Sequence, residues 1–181
     1  MDVSARTFGT WAVGVSAAVA GWFLVSEATS GSGIQAWTTA VGVLIGWACA
    51  VEDVATRRIP NRLVYPLAVF VYAGLVVAWS GGRRPLIAAV AGLVFGVCLL
   101  AGSGVLRIGA GDVKLAVPVV ALLAWLEVAI FGIAVALLVQ SVWALVAQRV
   151  RRDGETYVVP LAPAMWVGLI AGIIAAGVGV L

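Results

Sequence analysis

Asp53 closes an apolar run and leads into Arg57-Arg58-Ile59-Pro60-Asn61, while Asp112 lies in Gly109-Ala110-Gly111-Asp112-Val113-Lys114 between two further apolar runs. A carboxylate kept at the edge of hydrocarbon is costly, and acids so placed mark functional sites. Two of them within hydrogen-bonding reach cannot both ionise easily, so they share a proton near neutral pH. The ionised member can then take a proton from an attacking water while the protonated member donates to the oxygen of a peptide carbonyl. That is aspartic-protease chemistry, and it calls for no cofactor and no metal. Histidine is absent from the chain, which excludes serine–histidine hydrolysis, the HExxH zinc site and histidine-ligated haem.

The neighbours of the two acids divide into chemistry and scaffolding. Gly109 and Gly111 leave little bulk before Asp112, so a substrate backbone can approach there. The plainer reading is that these glycines break the chain and that Asp112 caps the next helix, whose positive end favours an acid. Asp53 has its own plain reading as a solvated acid paired with Arg57 four residues on. Lys114, the lone lysine, is either a membrane anchor or a tuner of the acid pair. Arg57, Arg58 and Arg62 read as topology anchors, and Pro60-Asn61 as the punctuation that starts a helix.

These residues must be positioned by membrane helices. Hydrophobic residues make up 64% of the 181, charged residues 10%, and mean hydropathy is +1.15, far from the soluble range. An all-α, polytopic transmembrane bundle is expected, one domain over residues 1–181. Apolar windows place spans near Phe8–Ser26, Ile34–Val51, Leu63–Trp79, Leu86–Leu106, Val128–Ala147 and Val158–Val180. Leu115 to Ala147 is broken only by Glu127. A turn at Trp125–Glu127 adds a span over Val113–Leu126 and puts nine of the eleven basic residues inside, as the positive-inside rule asks. Without that turn the split is six against five. Seven spans with an inside N-terminus are therefore expected, with both acids at the cytoplasmic face of the cell membrane. The first span also fits a signal peptide, with Ser26-Glu27-Ala28 at the cleavage spacing. The basic residues sit at span ends, which speaks against nucleic acid as a partner and leaves lipid as the surroundings. Cys49 and Cys98 lack CxxC spacing and read as small buried hydrophobes.

Taken together, Asp53-Val54-Ala55-Thr56-Arg57-Arg58-Ile59-Pro60-Asn61 and Gly109-Ala110-Gly111-Asp112-Val113-Lys114-Leu115 resemble the two signature segments of the prepilin peptidases, membrane aspartic proteases that process type IV pilin-like precursors. Pro160-Leu161-Ala162-Pro163 resembles the proline-rich start of that family's last helix, so the likeness runs from about Leu44 to Gly168. The resemblance implies that Asp53 and Asp112 are catalytic and that Gly109, Gly111 and Lys114 serve the substrate. It implies a pilin-like precursor as partner, with a short basic leader cut on the cytoplasmic side. The cysteine-bearing cytoplasmic domain of longer members is missing, which implies peptidase activity without N-methylation, as in the short form linked to tight-adherence or archaeal-type filaments. The helix near residues 8–26 is then an addition to a six-span core over 34–181. Intramembrane proteases of the presenilin type share GxGD, but their PAL order is absent here. A non-enzyme alternative is a small transporter or secretion-assembly subunit that uses the two acids as a proton or ion site.

Overall fold

The computed structural model describes residues 33–79, 84–106, 109–150 and 160–178. Within them lie six helices and no strand: α1 (Gly33–Thr56), α2 (Asn61–Ala78), α3 (Arg84–Leu106), α4 (Ala110–Trp125), α5 (Ala129–Val150) and α6 (Ala162–Val178). Helices are what an apolar chain must form in lipid, where each backbone group has to find its partner within the segment. Four of the six, α1, α2, α3 and the Ala129–Val146 part of α5, are long and apolar enough to cross a membrane. The protein is thus an all-helical membrane protein. The expected first span, residues 8–26, lies outside the described residues, and Arg149 falls in the last turn of α5.

The two shortest helices are the innermost. α4 has 16 residues and ten of them are buried; α6 has 17, with eleven buried. α4 touches all five other described helices, and α6 touches α1, α4 and α5. Leu115, Leu122 and Leu123 of α4 join Leu169 and Ile173 of α6, Val43 of α1 and Leu67 of α2 in one closed core. α3 and α5 instead turn long apolar faces outward, with Val97 and Ile130 among the exposed residues, as lipid-facing helices do. Cys98 belongs to that outward face of α3, so the expectation that both cysteines are buried holds only for Cys49.

The turn expected at Trp125–Glu127 is present. Val128 N–H bonds Leu123 O at 3.0 Å and Glu127 N–H bonds Ala124 O at 3.1 Å, the two bonds of a Schellman ending. Its left-handed position is filled by Glu127 at φ 63° where glycine is usual, and the Glu127 carboxylate reaches Arg84 at 2.6 Å. α1 ends by a related device. Arg57 takes φ 56° and its N–H bonds Asp53 O at 2.8 Å, which stops the helix and folds the chain toward Pro60.

Small residues set the helix spacing. A Cβ on Gly168 would collide with Gly132 O and stand 2.8 Å from Ala136 Cβ, and one on Gly92 would stand 2.5 Å from Val117 O. Backbones approach this closely in membranes because lipid offers no competing hydrophobic gain, so contact area decides.

Candidate active site

Because the helices alternate in direction, one end of the bundle collects the end of α1, the Arg57–Pro60 connection and the starts of α2, α4 and α6. Asp53 lies in the last turn of α1 and is only 4% exposed. Its Oδ2 accepts the Ala162 N–H at 3.1 Å, and the Leu161 N–H adds a second backbone bond. The Arg57 charge also acts on it. Glu52, next in sequence, turns away to Arg62 at 3.1 Å; that pair is exposed and contributes little.

Asp112 is the third residue of α4, one position ahead of the apolar segment. Its Oδ2 accepts the Gly109 N–H at 3.2 Å, and its own N–H donates to Gly109 O at 3.0 Å, so the capping role expected of an acid here is real. It is not the whole account. Burial, and after it the Asp53 carboxylate, push the Asp112 carboxyl from 3.8 up to about 6, against the opposing pull of the Gly109 N–H. Asp53 is thus close enough for its charge to be felt at Asp112.

The two signature segments also lock together. Lys114 Nζ donates to Asn61 Oδ1 at 3.2 Å and lies 5.6 Å from the centre of the Tyr65 ring, a cation–π arrangement. Ile59 fills the space beside Gly111, where an added Cβ would stand 3.3 Å from Ile59 Cβ. The small size of Gly111 therefore seats the chain's own Ile59, whereas at Gly109 an added Cβ would stand 3.2 Å from Asp112 Oδ2. Of the residues singled out from sequence, Asp53, Gly109, Gly111, Asp112 and Lys114 all meet at this end.

The raised Asp112 carboxyl has a measurable consequence for stability. A carboxyl raised on folding holds its proton more tightly in the folded chain, so the stabilisation is fully present below about pH 4 and is lost as pH rises through about 6. Asp112→Asn removes this penalty. Because Asp112 is partly exposed, the gain at pH 7.5 is discounted to on the order of 1 kcal/mol, or about 2–4 °C. Melting in detergent should show wild type gaining more stability than the variant on acidification from pH 7 to 5; equal slopes would contradict it.

The family model described as the type IV leader peptidase family matches residues 40–147, more than half of the chain and all of both acid-bearing segments. The chain belongs to the type IV leader peptidase family. Comparison with curated proteins and with solved structures returns no match. Membership makes the protein a peptidase and carries the family's pilin-like precursors as its substrate class. The match stops before α6, yet α6 supplies the backbone donors to Asp53. In the sequence Pro160-Leu161-Ala162-Pro163 is visible as a helix start but not as a donor to Asp53, and the Asn61–Lys114 bond leaves no trace beyond the two motifs that carry it.

Proposed function

We propose that this type IV leader peptidase removes the short basic leader of a pilin-like precursor by water activated between Asp53 and Asp112. The observation that carries the reading is that the Asp53 charge bears on a half-buried Asp112 whose carboxyl sits near 6. Near neutral pH such a pair holds one proton between two carboxyls. The ionised member takes a proton from water as its oxygen attacks the scissile carbonyl; the protonated member gives its proton to the carbonyl oxygen. Collapse of the tetrahedral adduct breaks the C–N bond, and a carboxyl proton passes to the leaving amine.

In this reading Gly109 and Gly111 shape the approach to Asp112, and Lys114 holds the edge of the site through Asn61 and serves the incoming substrate. The whole chain is one membrane domain of seven spans in the cytoplasmic membrane, with the acids facing the cytoplasm and the helix near residues 8–26 added to a six-span core. Its activity is cleavage without N-methylation, on tight-adherence or archaeal-type precursors. Coexpression with a pilin-like precursor from the same genome tests it: a shift of the precursor to mature size on a gel is expected, and an unprocessed precursor beside well-inserted enzyme would overturn it.

A further inference from the structure

Asp53 stands at the unfavourable end of its own helix. The carbonyl-rich C-terminus of α1 repels a carboxylate, and a carboxylate 4% exposed must find donors or neutralise. The donors come from α6, whose first N–H groups have no partners within the helix. Ala162 N–H meets Asp53 Oδ2 at 3.1 Å and Leu161 N–H joins it. Pro160 and Pro163 flank these two donors. Neither proline has an N–H, so the two amides between them are the ones offered, and the fixed φ of each proline restrains the turn. Ala162 is fully buried, as is Pro163. The contact of Gly168 with Gly132 sets the height of α6 against α5, and with it the aim of the two amides.

We infer that the Pro160–Pro163 turn is the positioning element for Asp53: the Ala162 amide holds Oδ2, the Leu161 amide supports the same carboxylate, and together they fix the orientation in which the acid is presented to Asp112. This deepens the proposed function and rests on it for the role of Asp53. The turn touches no reacting atom; it acts through the acid.

Ala162→Pro removes the principal donor at the first helical position, where proline otherwise fits a helix, and Ala162→Gly keeps the N–H. A lost bond to a charged group predicts kcat about 10- to 100-fold lower for Ala162→Pro, with KM within roughly 3-fold, while Ala162→Gly stays close to wild type in both. Unchanged kcat in Ala162→Pro, or an equal loss in Ala162→Gly, would overturn the inference. Amide exchange, measured without substrate on the full chain in detergent, decides independently of cleavage and of how well Ala162→Pro folds. The Ala162 amide is expected to be protected in wild type, to exchange about 10-fold or more faster in Asp53→Ala, and to be unaffected in Asp112→Ala. An unprotected amide, or protection indifferent to Asp53→Ala, defeats the positioning role even if precursors are cleaved; the expected pattern in a chain that cleaves nothing would defeat the peptidase reading alone.

Discussion

Asp53→Asn and Asp112→Asn are each expected to lower the rate of precursor cleavage by about 10³-fold or more, because each removes one half of a proton-transfer pair and general acid–base groups contribute about 10² to 10⁴. The double variant should be scarcely worse than either single one, since groups that act as a unit lose their joint effect when either is removed. Both changes keep size and shape, and the carboxamide introduced by Asp112→Asn still offers an oxygen to the Gly109 N–H, so a loss of activity with an unchanged gel-filtration profile reports chemistry. Retention of more than about a tenth of the activity in either single variant would rule out the pair. EDTA should leave wild-type cleavage unchanged, because the proposed water is activated by carboxylates; inhibition by EDTA would point to a metal.

The largest effect on stability is expected from Gly168→Val. At Gly168 a single Cβ already collides with Gly132 O and stands 2.8 Å from Ala136 Cβ, and what it meets includes backbone, which cannot swing aside. Valine adds two more methyls, so α5 and α6 must separate along their length. Overpacking of a tight interface costs about 1–3 kcal/mol and more where backbone has to move; here the upper part of that range is expected, with a fall in melting midpoint of roughly 10 °C or failure to insert. Activity should fall too, because the displaced α6 takes the Leu161 and Ala162 amides away from Asp53. Gly33→Ala is the control, since nothing lies within 4 Å of its added Cβ. A Gly168→Val protein melting within about 2 °C of wild type would show that the two helices are held apart by something other than their glycines.

Periodic and compositional signals carry most of the architecture. The windows Ile34–Val51 and Leu86–Leu106 fall inside α1 and α3, because an uninterrupted apolar run has few alternatives to a helix in lipid. Helix ends are harder to read. α1 continues to Thr56, past two acids, since the burial of Asp53 by α6 is a tertiary effect with no local trace. The break at Glu127 lacks the glycine that usually marks a left-handed ending; charge asymmetry points to it where turn chemistry does not. At the site, the two acids are legible because carboxylates are scarce beside hydrocarbon. The donors to Asp53 are not, because they are main-chain amides and any residue but proline can supply one. The same holds for Gly111, whose role as a seat for Ile59 depends on a segment 52 positions away.

The brevity of α4 bears on how a soluble nucleophile reaches acids set among lipid-facing helices. Sixteen residues rise about 24 Å, some 6 Å less than a typical hydrocarbon slab, while α1 and α3, with 24 and 23 residues, overreach it. Gln35 Nε2 donates to Trp125 O at 3.2 Å, which levels α1 and α4 at the far face, so the shortfall opens where Asp112 sits. Under the proposed function, a shortfall at this end lets the solvent boundary dip toward Asp112, so that a peptide strand is wetted and cut without first entering oil.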